Sequence, residues 1–279
     1  MTAILLAAVS ALVYGSADYC GGVATRRTHA LAVTVLSQMA VLPLIVVVTV
    51  LVGGTSTLAG AGWGALAGIA GFTGLVLLYH GLSGGAMAVV APTTAVTAAL
   101  VPLVVGLALE QWPGTLAFSG VSLAVVAIGL VSLAPGNHRE QAMPRLLALA
   151  IVAGVLFGLF FIALDRAGTD AGMWPLVWAR LAAVGLGLAV AVRLRVGLSP
   201  GRTAWPWILG AGLLDVSANV CYLLAAQLGA LSIVAPIAGL YPVSTVLLAL
   251  SVDRERLRPL QVVGLGLAAT ALVLVSGTG

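Results

Sequence analysis

Asp215 lies about eleven residues inside an apolar run, with Asn219 and Tyr222 following at i+4 and i+7. On a helix these three side chains share one face. A carboxylate at that depth in a bilayer costs several kcal/mol unless it is paired, hydrated or neutral. It therefore marks either a polar network between helices or a pathway for an ion or solute. Arg180 sits about six residues into the preceding apolar run. If the two runs are antiparallel neighbours, Arg180 reaches the depth of Asn219, one helical turn from Asp215. Its guanidinium could pair with that acid or receive a substrate carboxylate. Asp18 closes the first apolar run, with Tyr14 at i−4, Ser10 a turn further back, and Arg26 and Arg27 following. Two roles fit it: an interfacial carboxylate paired with those arginines, or a proton- or cation-responsive group at a cavity mouth. His80 is either a structural histidine or a proton relay. Thr34 and Gln38, and Thr93 and Thr97, form i, i+4 polar pairs that suit packing or cavity lining. Tyr241 stands between Pro236 and Pro242 in a run otherwise polar only in its hydroxyls.

These residue types support proton transfer, ion pairing and recognition of a charged or polar solute. They do not assemble into covalent catalysis. The glycine-rich stretch 81–85 lacks the Lys-Ser/Thr that would follow a phosphate-cradling loop. Neither a Ser/His/Asp arrangement nor a carboxylate pair stands out. Cys20 and Cys221 are lone, small and far apart, without the spacing of a metal site or a disulfide framework. No catalytic residue, metal ligand or cofactor is expected. An enzyme acting on a lipid-linked substrate through Asp18, Asp215 and His80 is the alternative class, and a non-transporting membrane scaffold is a third.

Hydrophobic residues make up 61% of the 279 positions and charged residues 7%, with a mean hydropathy of +1.18. A soluble domain carries about 25% charged residues, so this chain could not cover a soluble surface. Windows of about 20 apolar residues divide it into ten predicted spans, near 2–20, 30–52, 62–82, 86–109, 115–134, 146–164, 174–192, 204–226, 230–251 and 259–277. The expected class is an all-α integral membrane protein with ten transmembrane helices. All twelve basic residues are arginine. They sit between the apolar runs, where they anchor loops to the membrane surface, and give no reason to expect nucleic acid. Trp63, Trp112, Trp174, Trp205 and Trp207 fall at span ends, as interface anchors do. The 35 glycines are expected to serve close helix packing, most directly in Gly64-x-x-x-Gly68 and Gly154-x-x-x-Gly158.

The chain also repeats. Tyr14-Gly15 answers Phe157-Gly158, and Val90-Ala91-Pro92 answers Val234-Ala235-Pro236 at an offset of 144. Glu110 answers Glu255, Gly120 answers Gly264, and Leu130-Val131-Ser132 answers Leu274-Val275-Ser276. Each half then holds five helices, residues 1–134 and 146–279, joined by a loop over 135–145. Because five is odd, the halves must cross the membrane in opposite senses, the inverted-repeat architecture of secondary transporters. Pro92, Pro236 and Pro242 are expected to bend or loosen their helices.

Further motifs carry a family resemblance. They are Val234 to Leu250 followed by Glu255-Arg256-Leu257, Gln261 and Gly264, with Tyr14 to Arg27 and Pro175 to Arg180. In this pattern the chain resembles the EamA-type branch of the drug/metabolite transporter superfamily. The first half departs from it, since Glu110 is followed by Gln-Trp-Pro. The resemblance implies a cavity lined by helices 1–4 and 6–9, with helices 5 and 10 peripheral. It implies export of a small organic metabolite or drug-like compound across the plasma membrane by alternating access. The expected partners are that solute, a coupled proton or other ion, and the bilayer; monomer and homodimer both fit. Ten arginines fall in the odd-numbered loops and one, Arg166, on the opposite side. That bias places both termini outside, whereas the resemblance implies cytoplasmic termini.

Overall fold

The computed structural model describes residues 1–83, 87–109, 114–131, 143–241, 244 and 259–276. Pro242, Glu110, Trp112 and the charged cluster around Glu255 lie outside the described residues. The described chain is all helical: α1 (Thr2–Thr25), α2 (Ala30–Val52), α3 (Leu58–Ser83), α4 (Met87–Leu109), α5 (Thr115–Val131), α6 (Met143–Arg166), α7 (Trp174–Leu194), α8 (Trp205–Leu228), α9 (Leu231–Ala238) and α10 (Pro259–Ser276). Helix is the structure this sequence requires, because in lipid every backbone N–H and C=O must be satisfied within the segment. Six of these helices, α1, α2, α3, α6, α7 and α8, are long and apolar enough to cross a bilayer, and shorter apolar stretches lie in α4, α5 and α10. The outward side chains are apolar too, among them Leu5, Val50, Leu51, Val104 and Val192. The chain is a multi-pass membrane protein.

Some prolines mark helix starts and one marks an interruption, while Pro43 lies inside a continuous α2. Pro175 and Pro206 sit in the first turns of α7 and α8, where the missing N–H would have lacked a partner anyway. Pro236 lies inside α9 and removes the N–H that would bond the Ser232 carbonyl. The helix stops two residues later, and the chain tightens through an i→i−3 bond from the Leu240 N–H to the Ile237 carbonyl at 3.0 Å. The ninth span is therefore interrupted where a continuous run over 230–251 was predicted. Pro92 falls within α4.

Small residues bring the helices together. A Cβ at Gly64 would lie 2.5 Å from the Pro175 carbonyl oxygen, and one at Gly68 would collide with the Ala179 backbone, so α3 crosses α7 backbone to backbone. Gly154 and Gly158 receive the side chains of Thr97 and Val101 of α4 instead. Both GxxxG pairs thus face partner helices. In the resulting bundle α1 packs on α8, α3 on α6 and α7, α2 on α7 and α8, and α4 on α6 and α9, while α5 packs on α10. Gly68→Ala should lower stability by about 1–3 kcal/mol through overpacking and push α7 outward. Gly62→Ala meets nothing within 4 Å and should be neutral. Melting temperatures of the two variants in detergent check the contrast.

Two loops lock one end of the bundle. The Thr55 N–H and hydroxyl both donate to the Asp170 carbonyl, at 3.0 and 3.3 Å. Trp178 Nε1 donates to Ser56 Oγ, and Gln227 Nε2 donates to the Gly172 carbonyl, each at 3.1 Å. Gly54 (φ +108) and Gly172 (φ +54) permit this approach, because a Cβ on either would strike the other loop's backbone. At the opposite end Arg27 Nη1 donates to the Thr203 carbonyl at 2.6 Å and its guanidinium lies 5.6 Å from the Trp207 ring centroid.

Candidate functional site

Between these two ends, α1, α2, α3, α6, α7 and α8, with Tyr241 beyond α9, enclose a cavity. Its volume is about 90 Å³, room for several water molecules. One wall is polar. Arg180 of α7 is buried and donates from Nη2 to Asp215 Oδ2 of α8 at 2.5 Å. Its Nη1 donates to Gln38 Oε1 of α2. Asn219, one turn beyond Asp215, donates to the Asp215 carbonyl at 2.6 Å and accepts from the Tyr14 hydroxyl of α1 at 2.8 Å. Four helices are thereby tied through one hydrogen-bonded chain. Burying an arginine is tolerable here because charge and hydrogen-bond partners meet both of its terminal nitrogens. The Asp215 side chain keeps 32% of its exposure because it faces the cavity.

The opposite wall is aromatic and aliphatic. Phe72 and Leu75 of α3 face Phe157, Phe160 and Phe161 of α6. Phe161 is an edge-to-face hub, 6.2 Å from the Tyr14 ring and 5.4 Å from Phe160. Gly68 and Gly71 also line the space, and the positions their Cβ atoms would take are filled by the Ala179 backbone and the Phe160 ring.

The structure brings together Tyr14, Asp18, Gln38, Arg180, Asp215, Asn219 and Tyr241 around the cavity. It does not bring Tyr222, His80 or Thr93 there. Tyr222 shares the helix face of Asp215, but that face runs past the end of the cavity. The ring is fully buried against Phe161 at 4.6 Å, and its hydroxyl donates to the Phe161 carbonyl at 3.1 Å. His80 is exposed near the end of α3. Thr93 is half-buried, and its carbonyl accepts the Thr97 hydroxyl at 2.7 Å. Thr34 donates to the Ala30 carbonyl on its own helix at 3.0 Å. Among the described residues α4 contributes no cavity wall, which narrows the expected lining. The α5 and α10 pair also lies outside the wall.

The aromatic wall is absent from the sequence-based candidates. A signal for it existed: four of the chain's five phenylalanines line this one cavity, three of them within residues 157–161.

Residues 145–277 match the model of the EamA-like transporter family. This segment, just under half of the chain, is EamA-like. The family is a branch of the drug/metabolite transporter superfamily, and the match falls on the half that carries Glu255-Arg256-Leu257 rather than on the half with Glu110-Gln-Trp-Pro. No curated protein matches the chain. A solved crystal structure, described only as that of a protein, is similar over 98% of this chain and 96% of its own, with a TM-score of 0.78 at 13% identity. That likeness establishes a shared fold along the whole length.

Proposed function

We propose that the protein is a secondary transporter exporting a small organic compound across the plasma membrane by alternating access between inverted repeats, residues 1–134 and 146–279. The observation that carries this reading is the cavity itself: a space with one polar and one aromatic wall, shared between helices of both halves. Such a site can hold an amphipathic solute between the halves, where inverted-repeat transporters place their substrate site. The packing supports the repeat. Exchanging α1–α5 with α6–α10 converts the α1–α8 contact into α6–α3 and the α2–α8 contact into α7–α3, while α2–α7, α4–α9 and α5–α10 map onto themselves. Residue details follow suit: Gly68 packs on the Ala179 backbone, and Gly212, 144 positions later, packs on the Ser37 backbone.

The end sealed by Thr55 and Asp170 is opposite the end bearing Arg26, Arg27, Arg193, Arg195 and Arg202. With the arginine-rich end in the cytoplasm, the sealed end faces outward and must open for release. Cysteines at Thr55 and Asp170, in a background with Cys20→Ser and Cys221→Ser, are expected to cross-link and stop flux, and a reductant should restore it. Flux through proteoliposomes measures both the basal activity and its loss. Undiminished flux in the cross-linked protein would exclude alternating access through this end, and absence of any solute flux in the wild type would leave a scaffold.

A further inference from the structure

We propose that the cavity binds an amphipathic organic monocation, a protonated or quaternary amine on an apolar body, with Asp18 as its counter-ion. This rests on the transporter reading only in taking the cation as cargo. Among the described residues, three charged side chains line the cavity: Asp18, Arg180 and Asp215. Two of them neutralise each other, since Arg180 and Asp215 are paired at 2.5 Å and the remaining guanidinium nitrogen on that side is met by Gln38. A carboxylate or other anion entering this space finds no cation to receive it unless the buried pair breaks.

Asp18 is in the reverse position. No ion pair or hydrogen bond among the described residues reaches its carboxylate. The nearby arginines do not supply one: Arg27 is committed to the Thr203 carbonyl and the Trp207 face, and Arg26 is exposed at the helix end. When Asp18 is ionised the cavity therefore carries one uncompensated negative charge. A carboxylate withdrawn from bulk water without a partner is costly, and a cation entering beside it removes that cost.

The remaining surface suits the rest of such a ligand. Tyr14 and Tyr241 share the cavity with Asp18, and the rings of Phe157, Phe160 and Phe161 line it as well. Aromatic faces attract ammonium groups through their quadrupoles, more strongly where water is excluded. The same rings bury an apolar body. One free negative charge inside an aromatic enclosure selects for a cation over an anion or zwitterion of equal size.

The test uses the purified full chain in detergent and three probes sharing a phenylethyl body: trimethyl(2-phenylethyl)ammonium, 3-phenylpropionate and phenylalanine. Equilibrium dialysis with radiolabelled probe should show saturable binding of the quaternary cation, with 3-phenylpropionate and phenylalanine failing to compete. Asp18→Asn should weaken cation binding at least about tenfold, the scale of one lost charge contact, and Asp18→Glu should recover most of it. Preferential binding of 3-phenylpropionate or phenylalanine by the wild type would overturn the proposal, whatever the folding of the variants. So would wild-type affinity for the cation in Asp18→Asn. Flux in proteoliposomes separates the two readings. Cation binding without flux would sink the transporter and leave this site standing, whereas flux of an anion with no cation binding would do the reverse.

Discussion

Arg180→Leu is expected to lower stability by about 3–5 kcal/mol, the cost of leaving the partner of a buried ion pair without its counter-charge. Its removal also strips Gln38 Oε1 of its donor. Asp215→Asn should cost less, because the Asp215 side chain keeps 32% of its exposure and stays in contact with cavity water. In that variant the guanidinium still meets Gln38 and the asparagine carbonyl. Combining Arg180→Leu with Asp215→Asn should recover part of the loss, giving a coupling of about 0.5–3 kcal/mol in the double-mutant cycle. Thermal unfolding in detergent of the wild type, both single variants and the double measures that coupling. Strictly additive losses would mean that the pair contributes nothing as a pair. Because Asn219 bonds to the Asp215 backbone rather than its carboxylate, the Tyr14–Asn219 link should survive all three variants.

The Arg180–Asp215 contact was one of the two roles the sequence left open for that arginine, because depth is legible there. Counting residues from the ends of two consecutive apolar runs fixes how far each side chain lies in the membrane. The expected adjacency of those two helices did not hold: α7 and α8 both pack on α2 rather than closely on each other, and the long guanidinium spans between them. Tyr14 and Asn219 are 205 positions apart, and nothing in local periodicity pairs α1 with α8. The i, i+4, i+7 rule placed Tyr222 on the correct face of α8. It could not show that α6 closes the cavity before that turn, so the same geometry that puts Asn219 in the space puts Tyr222 in the core. Glycines were legible as packing surfaces because a missing Cβ has few uses inside a straight helix. The phenylalanines were not, since an aromatic ring facing lipid and one facing a cavity look identical in a hydrophobic sequence. Pro236 acted locally and broke its helix within one turn, as backbone chemistry dictates.

With the proposed repeat, the two walls of the cavity are the same surface written twice in different residues. At the offset of Tyr14-Gly15 and Phe157-Gly158, Asp18 corresponds to Phe161. At the offset of Gly68 and Gly212, Asp215 corresponds to Gly71 and Asn219 to Leu75. The polar members lie on α1 and α8 and their apolar counterparts on α6 and α3, and every one of these residues lines the cavity. Gln38 and Arg180, 142 positions apart, touch each other across the relation. A symmetric fold thus encloses an asymmetric space, and the asymmetry orients an amphipathic solute.

Phe161→Ala should accordingly produce the second large effect. Its ring is 5% exposed and packs on Tyr14, Phe160 and Tyr222. Truncating a buried phenylalanine costs about 3–5 kcal/mol through lost transfer energy and the space left behind. Phe161 also props the Tyr14 ring whose hydroxyl holds Asn219 at 2.8 Å, so the loss should spread to the polar wall. Phe161→Leu keeps most of the volume without the aromatic face, and should restore much of the melting temperature in detergent. If the ring served only as filler, leucine would also restore binding of an aromatic-bodied solute. Stability recovered without binding is the result expected of a cavity wall, and equal recovery of both would reduce Phe161 to core packing.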